Sequence, residues 1–262
     1  MTKTILITGS TDGIGLLTAK KLAAEGHSVL LHGRSAERLE AAAMAVGNAP
    51  ETYSADLSKL DEVRTLSAAI REKHEQLGVV INNAGVLKTK KTVTAEGYDI
   101  RFMVNTFAPY VLTKELLPII SKGGRVVNLS SAAQAPVDVE ALHGRKRLSD
   151  MDAYAQSKLA ITIWTRELAK QLPDGPLFVA VNPGSLLASK MVKEGFGVAG
   201  NDLNIGADIL REAAFGQSFA NANGKYFGND SGAFANPHSA ALDAGHSARV
   251  MQAMTDAISA LS

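Results

Sequence analysis

From one end of this 262-residue chain to the other, short apolar runs alternate with longer stretches of helical period. Strands are expected over 3–8, 28–33, 51–55, 79–82, 125–129, 177–182 and 225–228. Helices are expected over 14–25, 36–46, 59–74, 94–105, 107–121, 152–171, 205–220 and 240–261. Runs such as Ile5-Leu6-Ile7 and Val79-Val80-Ile81 are apolar on both faces, as in a parallel sheet covered by helices on both sides. The expected fold is therefore a single-domain, doubly wound α/β sheet over 1–262. In such a sheet, ligands bind beyond the carboxyl ends of the strands, so the residues just after each strand carry the functional signal. No linker, repeat or low-complexity tract divides the chain. Glycines 195, 197 and 200 mark one extended loop.

Composition removes several classes. Hydrophobic residues make up 46% and charged residues 20%, which excludes disordered, collagenous and coiled-coil chains. Lys and Arg number 27 against 26 Asp and Glu, a balance with no sign of nucleic-acid binding. There is no cysteine, so thiolate metal sites and a Cys nucleophile are excluded, and no His–carboxylate group stands at metal spacing. No apolar run approaches the ~18–20 residues that span a bilayer. The expectation is a soluble, cytoplasmic protein with no membrane anchor.

The first strand runs into Thr8-Gly9-Ser10-Thr11-Asp12-Gly13-Ile14-Gly15 and then a helix. Glycines there permit a tight turn and let a pyrophosphate approach the helix N-terminus. Gly9, Thr11, Asp12, Gly13, Ile14 and Gly15 are the expected dinucleotide contacts. After the second strand the chain reads His32-Gly33-Arg34-Ser35, without the carboxylate that would bond a ribose 2′-hydroxyl. Arg34 offers a planar fork suited to a phosphate, which favours NADPH over NADH; Arg38 lies one turn later.

Tyr154 and Lys158 are four apart, on one helix face if the segment is helical. An ammonium beside a phenol would lower the phenol's pKa and fit it for acid–base work. A second copy, Tyr110 and Lys114, shows that spacing alone does not discriminate. Position does: Tyr154 follows the strand over 125–129 and opens a helix near the carboxyl edge, whereas Tyr110 lies inside a helix and is expected to pack. Ser130 and Ser131 directly follow that strand, where a hydroxyl can donate to a carbonyl oxygen. A serine hydrolase would instead need Gly-x-Ser-x-Gly, and neither glycine is present.

These residues together resemble the short-chain dehydrogenases/reductases. The matching motifs are Thr8-Gly9-x-x-x-Gly13-x-Gly15, Asp56-Leu57, Asn82-Asn83-Ala84-Gly85, Asn105, Asn128-Leu129-Ser130-Ser131, Tyr154-x-x-x-Lys158 and Asn182-Pro183-Gly184. The resemblance implies a Rossmann sheet with Tyr154 as general acid in reduction and base in oxidation. It implies that Lys158 lowers the phenol's pKa and bonds the nicotinamide ribose, that Ser131 is the catalytic serine, and that Asn105 holds a water relaying protons to the lysine. Asp56 and Leu57 would contact adenine; Asn83, Ala84 and Gly85 would line adenosine; Pro183, Gly184 and Leu186 would wall the carboxamide. Family oligomers often form through the helices holding Tyr110 and Tyr154, which implies a homo-oligomer here unless the insert and the last helix block that packing.

Two departures matter. The loop at about 134–151 is longer than in many members and, with Gly224-Lys225-Tyr226-Phe227, resembles the retinol-dehydrogenase-like branch. Ala188 stands where many members carry a Thr or Ser, with Ser189 one place on. Within the insert, Gly144-Arg145-Lys146-Arg147 reads as a solvated loop, His143 as a loop histidine, and Trp164 as packing. A substrate lid is expected over 186–204, its apolar side formed by Leu187, Met191, Val192 and Phe196. The expected activity is NADP(H)-dependent hydride transfer with a largely apolar carbonyl or alcohol; the alternative is a non-catalytic NADP(H)-binding redox sensor.

Overall fold

In a computed structural model, residues 2–261 are described except 190, 192, 194–196 and 198. The apolar runs form β1 (Thr4–Ile7), β2 (Ser28–Gly33), β3 (Glu51–Ser54), β4 (Leu77–Asn82), β5 (Ile120–Leu129), β6 (Leu177–Asn182) and β7 (Lys225–Gly228), with a short β8 (Ala233–Ala235). Their order is β3-β2-β1-β4-β5-β6-β7-β8. Every neighbouring pair is parallel except β7 and β8. The strand order reverses between β1 and β4, which makes the crevice above these two the expected ligand position.

The helices are α1 (Gly13–Ala24), α2 (Ala36–Val46), α3 (Leu60–Lys73), α4 (Ile100–Phe102), α5 (Ala108–Leu116), α6 (Val139–Leu142), α7 (Asp150–Gln171), α8 (Leu203–Phe215) and α9 (Ala244–Ala260). They bury the two sheet faces in separate cores. One holds Leu6, Leu30, Val80 and Val126 with α3, α5, α7 and α9. The other holds Ile5, Ile7, Val127 and Val179 with α1, α2 and α8. Adjacent residues of one strand thus point to opposite cores, as the double-sided apolar runs require. Helix α9 packs on α6 and α7. No helix among the described residues is long and apolar enough to cross a membrane.

Several boundaries differ from the sequence-based expectation. The helix expected over 94–105 begins only at Ile100, because Gly97 takes φ +94° in a turn closed on Thr94 and Asp99 then caps the helix. The helix expected to reach 121 ends at Leu116. Pro118 lies in a single 3-10 turn, and β5 starts at Ile120. The helix over 205–220 spans 203–215 and stops at Gly216, and that over 240–261 waits for the Asp243 cap. The antiparallel β8 was not anticipated. Nor was α6, which buries Ala141 and Leu142, so the insert is anchored in the core. Its basic run is exposed and locally paired, Arg145 with Glu140 and Lys146 with Asp138.

His32 ties three of these strands together. Its Nδ1 accepts from the Gly9 N–H at 3.2 Å, so the ring proton sits on Nε2, 3.1 Å from the Ala55 carbonyl. Burial pushes its pKa down to about 4. The folded pKa lies below the unfolded one, so the stability this group contributes is complete above pH 6.5 and is lost as pH falls through about 4. Urea unfolding at stepped pH should show the wild type losing roughly 3 kcal/mol from this source across that window. The His32→Asn variant should lack that part of the slope; an identical slope in both would contradict the assignment.

Candidate active site

A cavity of about 1040 Å³ opens above the carboxyl ends of β1, β4, β5 and β6. It is lined by Gly9, Thr11, Asp12, Gly13, Ile14, Gly15, Arg34, Asp56, Leu57, Asn83, Ala84, Gly85, Ser131, Tyr154, Lys158, Pro183, Gly184 and Leu186. These are the residues picked from the sequence, with one exception. Asn105 is buried behind the wall rather than on it.

At the dinucleotide end the backbone is packed too closely for side chains. A Cβ on Gly15 would lie 2.4 Å from the Gly9 carbonyl oxygen and 2.5 Å from Asn83 Nδ2, and one on Gly9 would lie 2.9 Å from Ala84 Cα. Asn83 Nδ2 donates to the carbonyls of Thr8 and Gly9, both at 2.9 Å, joining the turn to the end of β4. Asp12 is the N-cap residue of α1 but makes no side-chain capping bond, and pairs instead with Arg38. The first amide groups of α1 are therefore left for a ligand, and a pyrophosphate fits them in both charge and geometry. Arg34 is exposed on the cavity edge and has no ion pair among the described residues, leaving its fork available to a phosphate. Asp56 is fixed beside it, accepting from the Ser58 amide at 3.0 Å. The chain's own residues thus fit a dinucleotide.

At the other end, Ser149 caps α7 and sets Tyr154 in its second turn. Lys158 Nζ donates to the Leu129 carbonyl at 2.7 Å and lies 5.7 Å from the centre of the Tyr154 ring. Ser130 and Ser131 diverge. Ser130 Oγ turns into the protein, bonding the Lys158 carbonyl at 3.1 Å and Thr162 Oγ1 at 2.7 Å. Ser131 faces the cavity and shares a side-chain hydrogen bond with Tyr154. Asn105 sits in a single π-helical turn (Met103–Phe107). A Cβ on Gly85 would be 3.4 Å from both Asn105 Oδ1 and Lys158 Nζ, so the two flank one point.

The electrostatics correct one expectation. Burial raises the Tyr154 pKa, and the Ser131 bond only partly offsets it. Burial also pushes Lys158 down to about 8. Desolvation of both groups outweighs the expected lowering of the phenol by the lysine, because a buried phenolate and a buried ammonium each lose hydration. Tyr154 is accordingly a protonated phenol at neutral pH.

Sequence reasoning missed three supports. Asp230 accepts from the Ser185 amide at 2.7 Å, Ser185 Oγ at 2.6 Å and Asn182 Nδ2 at 2.8 Å, fixing the Pro183-Gly184 turn. Burial pushes its carboxyl up, but those bonds outweigh it and leave it below the usual range. Buried Arg101 pairs with Asp99 at 2.6 Å and with Asp150 at the start of α7, and donates to the Leu87 carbonyl at 3.3 Å. Gln134 Nε2 donates to the Ser131 carbonyl at 2.9 Å, and Tyr226 Oη to the same carbonyl at 3.1 Å. Asp230, Arg101 and Gln134 sit in no motif, and Tyr226, within Gly224-Lys225-Tyr226-Phe227, carries no local sign of its bond; the links Ser185–Asp230, Arg101–Asp150 and Tyr226–Ser131 join residues far apart in sequence.

The remaining expectations divide. Tyr110 lies off the cavity, half-buried edge-on against Trp164, which is fully buried. Ser189 lines the cavity, whereas the Ala188 amide donates to the Asn201 carbonyl at 2.7 Å. In the expected lid, a bridge between Leu187 and Asn201 closes the neck of the loop. Leu186 takes φ +50° there, in the left-handed region. Leu187 is buried and Met191 lines the cavity, but Val192 and Phe196 lie outside the described residues. Residues 203 and 204 belong to α8.

A family model described as short chain dehydrogenase matches residues 3–196, so the chain belongs to the short chain dehydrogenase family. It is 31% identical over 250 residues to human retinol dehydrogenase 13, an alignment covering 86% of this chain and 76% of that protein. The structure of an uncharacterized protein from Mycobacterium paratuberculosis matches with TM-score 0.82 and 28% identity, covering 97% of this chain and 92% of that one. An Escherichia coli CFT073 short chain dehydrogenase, solved with NADPH, matches with TM-score 0.70 and 27% identity, covering 87% of this chain and 96% of that one.

The turn's close contacts yield a direct test. Gly15→Ala must push the added methyl against the Gly9 carbonyl. Calorimetric titration should show NADPH affinity reduced at least about tenfold, with stability lowered by about 1–3 kcal/mol. Wild-type affinity in the variant would contradict the cradle.

Proposed function

We propose that the protein reduces an aldehyde or ketone, and in reverse oxidises the matching alcohol, with NADP(H) as hydride carrier. The observation that carries this reading is convergence. Ser131, Tyr154 and Lys158 face the same cavity as the uncapped N-terminus of α1 and Arg34, which has no ion pair among the described residues. Bound NADPH supplies the hydride to the carbonyl carbon. Tyr154 gives its phenolic proton to the carbonyl oxygen, balancing the hydride and leaving the alcohol. Ser131 donates a hydrogen bond to that oxygen as negative charge develops. Lys158, held by the Leu129 carbonyl, places its ammonium for the nicotinamide ribose, with Asn105 beside it for the returning proton. The Pro183-Gly184 turn and Leu186 would wall the carboxamide side, and Leu187 and Met191 give the cavity an apolar side for the substrate.

Tyr154→Phe removes the proton donor while keeping the ring. Its turnover of a carbonyl substrate should fall by at least about a hundredfold with NADPH binding retained; full turnover would sink the mechanism. Arg34→Ala should lower kcat/KM for NADPH by about tenfold or more and leave NADH little changed. An unaltered ratio removes Arg34 from cofactor choice.

The pH profile follows from the buried pair. Tyr154, raised by burial, stays protonated through neutral pH. Lys158, lowered to about 8, loses its charge as pH rises through that value. The kcat/KM for reduction should therefore be level near neutrality and fall through about pH 8. A profile that rises through pH 8 would contradict the assignment.

A further inference from the structure

Among the described residues, six with formal charges line the cavity: Asp12, Arg34, Arg38, Asp56, Lys88 and Lys158. Five are accounted for. Asp12 and Arg38 pair with each other, Asp56 and Arg34 follow β3 and β2 at the dinucleotide end, and Lys158 is buried against Leu129. Lys88 lies past β4, on the opposite side of the sheet's reversal. It is exposed and has no hydrogen bond or ion pair among the described residues.

Its position is nonetheless fixed. The amide and carbonyl of Val86 bond Asn105 at 2.8 and 3.0 Å, and the Leu87 carbonyl accepts from buried Arg101. The backbone leading to Lys88 is thus held by Asn105, which also stands beside Lys158, and by Arg101, which holds the start of the Tyr154 helix. Leu87, Thr89, Ile100, Val104 and Met151 also line the cavity. Met151 is three residues before Tyr154 on α7, on a neighbouring face. Among the described residues, the carboxylates that line the cavity are Asp12 and Asp56, both at its dinucleotide end.

We infer that Lys88 selects substrates carrying an anionic end: carbonyl compounds with an apolar body and a single carboxylate, one negative charge for one ammonium. This inference rests on the carbonyl-reduction reading above and refines its substrate class. The apolar walls receive the body, Tyr154 and Ser131 the carbonyl, and Lys88 with the Thr89 hydroxyl the carboxylate at the rim.

The test compares ω-oxo carboxylic acids of increasing chain length with their methyl esters, at saturating NADPH and low salt. At the matching length the acid should exceed its ester in kcat/KM by about fivefold, chiefly through KM, as a partly exposed ion pair allows. The preference should persist in Lys88→Arg, fall to about one in Lys88→Gln, reverse in Lys88→Glu, and fade as salt is raised. A wild-type ratio of one or less at every length, or a preference that survives Lys88→Glu, overturns the assignment while leaving carbonyl reduction standing. Reduction of neither acids nor esters would instead overturn carbonyl reduction itself, and this inference with it.

Discussion

The contact on which the rest depends is the close approach of the β1 turn to the end of β4. Gly15 sits so near the Gly9 carbonyl and Asn83 that no side chain fits, and Asn83 donates to both Thr8 and Gly9. That contact holds the α1 N-terminus over the point where the strand order reverses. His32 secures the same turn from the β2 side, neutral because it is buried. A rigid backbone surface with free amide donors suits an anionic pyrophosphate, since the donors are aligned before binding and the turn need not reorganise to receive it.

The second constraint is the dehydration of Tyr154 and Lys158. Tyr154 and Lys158 are both withdrawn from water, so the phenol is held in its acid form and the lysine is brought towards neutral pH. Supports from distant parts of the chain make that burial stable. Arg101 links the start of α7 to the segment after β4, Gln134 and Tyr226 grip the Ser131 turn, and Asp230 holds the Pro183-Gly184 turn. The insert contributes through α6, whose core residues anchor the approach to the Ser149 cap.

Much of this was legible in the sequence because it is local. Strands buried on both faces have continuous apolar runs, and the glycine turn, the Tyr154–Lys158 spacing and the strand-end serines are contiguous motifs. Strand and helix order followed, and with it the cavity wall. What escaped depends on partners far apart in sequence. Arg101 meets Asp150 across 49 positions, and Ser185 meets Asp230 across 45. The start of α4 escaped because Gly97 breaks a run of helical period. The direction of the Tyr154 shift escaped because spacing shows the nearby charge but not the burial that outweighs it.

The proposed function requires one cavity to join a dinucleotide to a Tyr154-driven carbonyl reaction. Its most direct test is label transfer: NADPH deuterated at the transferable position of the nicotinamide, incubated with protein and an aldehyde, with the product alcohol examined by mass spectrometry and NMR. Deuterium is expected on the former carbonyl carbon, and none at that carbon when unlabelled NADPH is used in deuterated water. Tight NADPH binding with no label in any alcohol product would contradict it and favour a non-catalytic, cofactor-sensing protein.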